Sequence, residues 1–266
     1  MEGMAPGQYL PMESAIHRLD PRAKFISAVF VMMAALTSGW AGMGVTALCI
    51  TAGIILSRIP AGVLGMQMKS LRLIIIITVL FQILFTPGNV LYSAGPVQIT
   101  TQGLTAGFDL LARLVLVIFT GIILTATTSS FSLAAGMEIL FKPLDRLGIP
   151  VHEIVMALTI AIRFVPVIFE EAGIIVNAQI SRGAAFNGPG LARRAGAVVS
   201  LMVPLLTGAL RRSDELATAM EARCYSGGAG RTRMNALTVS AGDIICVLFS
   251  GVTLAAAVIL RMTLAL

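Results

Sequence analysis

The sequence predicts an all-α integral membrane protein with about five transmembrane helices and a cytoplasmic-side insert of one short and two long helices. Two observations predict this class. The 266 residues are 57% hydrophobic and only 12% charged, which is about half the charge of a typical soluble domain. Several apolar runs also approach the roughly 20 residues that a spanning helix needs. A chain with so few charges could not cover its surface in water.

Five apolar runs are the candidate spans. The first, 23–40, follows Asp20 and Pro21, which suit the N-cap and the first position of a helix. Trp40 stands where an interfacial anchor is expected. The second and third runs reach the spanning length only with their flanking residues. The remaining four runs are 44–56, 71–85, 109–128 and 242–260.

Basic residues set the expected orientation. Lys and Arg lie before the first span, between the second and third, and throughout the segment 129–241, whereas the two other linkers have none. Because Lys and Arg favour the cytoplasmic side, we expect a cytoplasmic N-terminus and an external C-terminus. Arg113 and Arg261 are exceptions near the outer ends of their spans, and Arg113 is expected to snorkel to the interface. The N-terminal residues show no signal-peptide pattern, so the first span should be retained.

The insert is too long and too apolar for an ordinary loop. Residues 131–147 have a helical apolar pattern, and two long stretches follow at 151–182 and 191–223. Each long stretch is interrupted once by proline, at Pro166 and Pro204. We therefore expect three regions: the first four spans, the helical insert and the last span, at 1–128, 129–240 and 241–266.

The two long stretches end alike. Each carries charges after its proline and closes with an arginine between small residues, at Ser181-Arg182-Gly183 and at Ala222-Arg223-Cys224. An arginine at a helix C-terminus followed by glycine is also common helix punctuation, and this simpler explanation suffices for either tripeptide alone. Two matched ends on two matched helices favour a shared role.

Catalytic, nucleotide and metal sites have no support in the sequence. The glycine run 227–232 resembles a phosphate-binding loop, but Arg231 replaces the lysine that G-x-x-x-x-G-K-[ST] requires. The spans carry almost no charge in their middles. We expect no catalytic residue, metal, cofactor or nucleic acid partner. His17 and His152 are expected to be isolated, with no metal cluster around them. Glu138 and Asp145 lie seven residues apart and are expected to share one solvated face of the helix predicted at 131–147.

The chain resembles the EcfT family, the transmembrane coupling subunits of energy-coupling factor (ECF) vitamin transporters, in its shared-module form that serves several substrates. The resemblance rests on an ordered set of segments: HRLDPRAKF at 17–25, the Arg182 tripeptide, and AMEARCYSGGAGRTRM at 219–234. The tripeptides of the family are usually Ala-Arg-Gly. Here Ser181 and Cys224 replace the alanine of the first and the glycine of the second, and both remain small.

The resemblance implies a non-catalytic scaffold in the cell membrane of a prokaryote. It would join two ATP-binding ABC ATPase subunits, which differ from each other, to an interchangeable membrane-embedded substrate-binding subunit of a vitamin importer. Two coupling helices would transmit the ATP-driven movement. The implied ATPase interface comprises Ser181, Arg182, Gly183, Glu221, Ala222, Arg223, Cys224 and Tyr225. Small and aliphatic positions expected to dock the substrate-binding subunit are Ala157, Ala161, Val165, Leu205 and Ala209.

A self-contained secondary transporter is the alternative. Such a carrier needs a polar site near the membrane midplane and often an inverted repeat, whereas the repeat found here lies in the insert. Arg163 is the nearest candidate for an embedded charge. We expect it to pair with an acid on a neighbouring helix or to reach lipid headgroups. An integral membrane enzyme is the third class, and no cluster of catalytic groups supports it.

Overall fold

The computed structural model describes residues 10, 12–94, 97–148, 150–184, 191–225, 227 and 239–264. A 3₁₀ helix, Lys142–Leu147, lies in the insert, and a two-stranded antiparallel hairpin, β1 (Val90–Ala94) and β2 (Val97–Thr100), joins the third α-helix to the fourth. The predicted all-α membrane class is confirmed, with this hairpin as a small addition. The α-helices are α1 (Pro21–Thr37), α2 (Trp40–Ser57), α3 (Ala61–Phe85), α4 (Thr101–Thr127), α5 (Ser130–Phe141), α6 (Val151–Ser181), α7 (Leu191–Ala222) and α8 (Ala241–Leu264).

Five of the described helices are long and apolar enough to cross a membrane, namely α2, α3, α4, α6 and α8. The first predicted span is shorter than expected. Helix α1 has 17 residues, and Trp40 begins α2 rather than closing α1. Helix α3 begins at Ala61, so Lys69 and Arg72 lie inside it and not in a linker. An apolar run stops at a charge, whereas a helix continues through Lys and Arg, whose stems lie along its surface.

The chain divides into two compact units, residues 1–136 with 236–266 and residues 137–235. In the first unit α1 packs against α8, α4 and α2. The three regions expected from the sequence stay a prediction. The centre of the apolar core consists of Val31, Ala35, Met43, Ile50 and Leu116.

Buried polar groups fix the N-terminal end of α1. As predicted, Asp20 is the N-cap, and its Oδ1 accepts a hydrogen bond from the backbone N–H of Arg22 at 2.9 Å. The backbone N–H of Asp20 donates to Asp243 Oδ1 in the first turn of α8 at 2.7 Å. Lys24 Nζ donates to the carbonyl oxygen of Thr127, the last residue of α4, at 2.9 Å. A cation thus meets the negative end of the α4 dipole, and three helix ends are joined.

Two arginines bind the C-terminal carbonyls of α1. Arg113 donates through Nη1 to the carbonyl oxygen of Leu36 and through Nη2 to that of Ser38 at 2.8 Å. Arg261 Nη1 donates to the intervening carbonyl, that of Thr37, at 2.8 Å. The last carbonyls of a helix lack partners within it, so these cations satisfy them. The two exceptions to the charge bias therefore have a structural role, and the snorkelling expected of Arg113 stays a prediction.

Glycines allow α3 and α4 to approach closely. Gly103 and Gly107 lie one turn apart on the face of α4 that meets Ile83 of α3. A Cβ atom at position 103 would lie 2.6 Å from the carbonyl oxygen of Ile83, and one at position 107 would lie 2.7 Å from its Cγ1. Such small-residue pairs separated by three positions are typical of close contacts between membrane helices.

In the second unit α6 and α7 pack antiparallel. Gln179 Nε2 lies 3.4 Å from the carbonyl oxygen of Ser200, and Glu171 Oε2 lies 2.8 Å from Arg212 Nη2. The Arg212 guanidinium also lies over the ring of Phe164, 5.8 Å from its centroid. Residue numbers therefore fall along α6 as they rise along α7. Both helices continue through their internal prolines.

Three expectations about the titratable residues are wrong. Helix α5 ends at Phe141, so Glu138 and Asp145 do not share one α-helix. His152 is not isolated, because its Nδ1 lies 3.0 Å from Glu138 Oε1. His17 is not isolated either, since its two ring nitrogens contact a serine hydroxyl and a backbone carbonyl upstream. The sequence pattern did not show these contacts, because the partner of each histidine lies on the other side of a turn or loop.

Substituting Gly103 by alanine should destabilise the first unit. The new methyl would meet the fixed carbonyl oxygen of Ile83, and we expect a loss of about 1–3 kcal/mol, as for other overpacked sites. Gly121→Ala in the same helix is the matched control, because its Cβ would have only Met32 Cε nearby, at 3.9 Å. Thermal unfolding in detergent compares the variants, and equal stability of the two would contradict this account of the α3–α4 contact.

Arg113→Ala should loosen the C-terminal end of α1. The variant removes charge-assisted hydrogen bonds to two carbonyl groups, and we expect a loss of about 1.5–3 kcal/mol in the free energy of unfolding. Arg72→Ala, at an exposed position of α3, is the control and should change little. Hydrogen exchange at the last turn of α1 should rise in the first variant alone, and unchanged protection there would exclude the capping role.

Candidate functional site at two arginine-ended helices

The Arg182 tripeptide ends α6 in a Schellman motif. The N–H of Gly183 donates to the carbonyl oxygen of Ile180 at 2.9 Å, and that of Ala184 donates to the carbonyl oxygen of Gln179 at 2.9 Å. Gly183 has φ of +87°, the left-handed conformation that this motif requires and that glycine adopts without steric cost. Arg182 is the C-cap residue.

The Arg223 tripeptide ends α7 in the same way. The N–H of Cys224 donates to the carbonyl oxygen of Glu221 at 2.9 Å, and that of Tyr225 donates to the carbonyl oxygen of Met220 at 3.0 Å. Cys224 occupies the left-handed position with φ of 58°. A side chain there costs on the order of 1 kcal/mol relative to glycine. The two tripeptides are therefore structurally equivalent, and the interpretation as helix punctuation is correct for their backbones.

The arginine side chains are not needed for that punctuation. Arg182 and Arg223 are exposed, and neither side chain makes a hydrogen bond or an ion pair within the described part of the chain. Other arginines of α7 differ in this respect, because Arg211 pairs with Glu215 and Arg212 pairs with an acid of α6. Two positive charges thus remain available at the helix ends. The other predicted interface residues are also exposed, except the half-buried Tyr225: Ser181, Gly183, Glu221, Ala222 and Cys224.

The two arginines lie at opposite ends of the helix pair. Each follows the C-terminus of its helix, and the helices are antiparallel. Arg163 lies beside Arg223 and precedes Arg182 by 19 residues of α6, which corresponds to about 28 Å along the helix. The structure therefore does not bring the two predicted sites together, and any groups that bind them must be far apart.

The Arg223 end has a cleft of about 530 Å³ between the N-terminal half of α6 and the end of α7. Arg163 and Arg223 both line it, together with apolar side chains such as Phe164 and Met220. The sequence did not assign Arg163 to this site. The acid partner expected for it is not found among the described residues. The hydropathy pattern predicts that Arg163 lies on a helix. It does not predict that this part of the helix packs beside the C-terminal end of α7.

The five residues predicted to dock a substrate-binding subunit lie on exposed parts of α6 and α7. Leu205 is half-buried, and the others are exposed: Ala157, Ala161, Val165 and Ala209. Many large apolar side chains around them are also exposed, including Phe169 with 73% of its surface accessible. Arg231 and most of the glycine run lie outside the described residues. In the described part of the chain, no three His, Cys, Asp or Glu side chains gather as a metal site would require.

The comparisons with known proteins agree with one another. The family model for the cobalt transport protein family, CbiQ, matches residues 12–237. The energy-coupling factor transporter transmembrane protein EcfT of Thermosediminibacter oceani is 40% identical over 252 residues, which cover 94% of this chain and 95% of the relative.

Two further relatives carry the same name. The protein of Heliobacterium modesticaldum is 43% identical over 248 residues, covering 92% of this chain and 93% of its own length. The protein of Lactococcus lactis subsp. cremoris is 37% identical over 249 residues, covering 93% and 94% respectively. The family model spans both arginine-ended helices. The chain belongs to the EcfT family of energy-coupling factor transporter transmembrane proteins.

Proposed function

We propose that this chain is the coupling subunit of an ATP-driven importer of a vitamin or another micronutrient. It links two different cytosolic ABC ATPase subunits to an interchangeable membrane-embedded substrate-binding subunit. The chain itself is not an enzyme, and ATP hydrolysis belongs to its partners. One observation carries the proposal: two exposed arginines without described partners follow two helices that end in the same motif.

The chemistry of arginine suits such a docking role. A guanidinium group offers five donors in a rigid, planar fork that engages carboxylates and carbonyls together. The Schellman motif fixes the backbone on which each fork is mounted, so less conformational freedom is lost on binding. Small neighbours such as Gly183 let the backbone of a partner approach closely. Each helix end is thus a preorganised docking group.

We further propose that α6 lies along the inner membrane surface, although its composition would allow it to span. Both arginines must reach cytosolic ATPases, yet they lie at opposite ends of an antiparallel pair. A spanning α6 would place one of them on the outer side. The spans are then α1, α2, α3, α4 and α8, with the N-terminus in the cytoplasm and the C-terminus outside, as the Lys and Arg bias favours.

The exposed apolar residues of α6 and α7 supply the surface for the substrate-binding subunit. Small side chains such as Ala157 and Ala161 permit close helix contacts in a membrane. Aliphatic contacts discriminate little between partners of similar shape, which agrees with exchange of different substrate-binding subunits. Selectivity for the transported compound then resides in that other chain.

The double variant Arg182→Glu and Arg223→Glu should abolish assembly with the ATPases and uptake. Reversing one charge at an interfacial arginine costs on the order of 2–5 kcal/mol, and the two sites are far enough apart for their effects to add. Co-purification of the ATPases and substrate uptake in cells measure the outcome. Arg211→Glu, at an exposed arginine of α7, is the matched control. The proposal is wrong if the double variant retains both ATPases and normal uptake.

Cysteine labelling tests the placement of α6. In a chain whose native cysteines are replaced by serine, Glu153→Cys and Asn177→Cys introduce thiols at exposed positions near the two ends of α6. A maleimide that cannot cross membranes should reach both from the cytoplasmic side only. Gln102→Cys, beside the hairpin, should react from outside and serves as the control. Labelling of positions 153 and 177 from opposite sides would show that α6 spans the membrane.

A further inference from the structure

We propose that Arg163 and Arg223 together receive one acidic side chain of an ATPase subunit in the cleft at the end of α7. The docking element at this end is then a two-arginine cleft and not a single exposed arginine. The inference rests on the proposed function and deepens it, since it adds a specificity-determining residue from α6 and states the chemistry of the partner group.

The cleft has a positive charge from each of its two walls. Arg163 comes from α6 and Arg223 is the residue that follows α7, and no Asp or Glu is among the lining residues that the structure describes. Glu221 is close in sequence but does not line the cleft. Neither guanidinium has a described partner, whereas the nearby Arg212 is already neutralised by Glu171 at 2.8 Å. The charge of this cleft is therefore left for another molecule to balance.

The other residues that line the cleft indicate which kind of group binds there. Phe164, Leu216 and Met220 contribute apolar walls. The hydroxyl of Thr159 donates to the carbonyl oxygen of Val155 in its own helix, so it is not a free donor. An apolar enclosure weakens screening and strengthens the attraction between a guanidinium and a carboxylate. An Asp or Glu on a segment with apolar neighbours fits this cleft, because its carboxylate pairs with the arginines and its neighbours pack against the apolar walls.

The proposed carboxylate serves both arginines. Its two oxygens offer about four acceptor positions, enough for two guanidinium forks. Two like charges lining one cleft also repel each other in the free chain, and a bound carboxylate removes that cost. Arg163 and Arg223 should consequently depend on each other in binding. An anionic lipid headgroup is the competing occupant. The position of the cleft at an end assigned to ATPase docking favours the protein carboxylate.

The test uses the full complex, with this chain tagged and co-expressed with both ATPase subunits of its organism. Arg163→Ala should lower the amount of one ATPase that co-purifies by about tenfold, and Arg163→Lys should lower it less, because a lysine keeps the charge but loses the fork. Arg211→Ala is the matched control and should leave both ATPases bound. Thermal unfolding of the chain alone should be the same for Arg163→Ala and the control, because Arg163 is exposed.

The double variant Arg163→Ala and Arg223→Ala tests whether one group binds both arginines. A shared carboxylate predicts a combined loss smaller than the product of the two single losses. A combined loss equal to that product overturns the shared site. If Arg223→Ala releases an ATPase while Arg163→Ala matches the control, this inference is wrong and the proposed function stands.

Two other outcomes are also decisive. If Arg182→Glu and Arg223→Glu together release neither ATPase, the proposed function itself fails. If Arg163→Ala keeps both ATPases but retains less anionic phospholipid, measured by mass spectrometry of the purified complex, a lipid occupies the cleft and the inference is overturned. Restored binding of Arg163→Glu by an ATPase with one acidic residue changed to arginine would identify the partner group.

Discussion

The backbone groups left unpaired at the ends of α-helices constrain both units of this protein. At α1 they are satisfied by side chains from other helices. Asp20 and Lys24 tie its N-terminal end to α8 and α4, and Arg113 and Arg261 bind the carbonyls at its other end. This 17-residue helix is thereby held at both ends as well as along its packed sides. Charged residues that look out of place in an apolar sequence make structural hydrogen bonds here.

Helices α6 and α7 solve the same problem differently. Their last carbonyls accept hydrogen bonds from the backbone of the Schellman motif, so no side chain is required. Arg182 and Arg223 stand at the positions where a cation would ordinarily be explained as a cap, yet neither guanidinium group bonds to the described chain. Arg113 differs from them, because it caps α1 and its guanidinium group donates hydrogen bonds to backbone carbonyls. The guanidinium groups of the two terminal arginines therefore keep the donors that the proposed ATPase docking needs.

The fold was predictable where strong breakers bound a helix, as for α6, which begins after Pro150 and ends before Gly183. The start of α3 was not, because Lys69 and Arg72 interrupt the apolar run without interrupting the helix. The equivalence of the two tripeptides was visible in their spacing. Their separation and the position of Arg163 beside Arg223 were not, since both depend on the antiparallel packing of α6 on α7. The bonds of Arg113 join residues more than 70 positions apart, which no local pattern encodes.

The Glu171–Arg212 ion pair lies well inside both helices, between the two arginine ends. Opposed sideways forces applied at the two ends of such a pair form a couple. They turn the helices about their contact and displace its centre little. With arms of about 16 Å on either side, a tilt of the ends by about four degrees moves each by an ångström or more. In the proposed complex, a rigid helix pair joined near its middle would convert motion between two ATPase subunits into rotation of the apolar surface that lies between them.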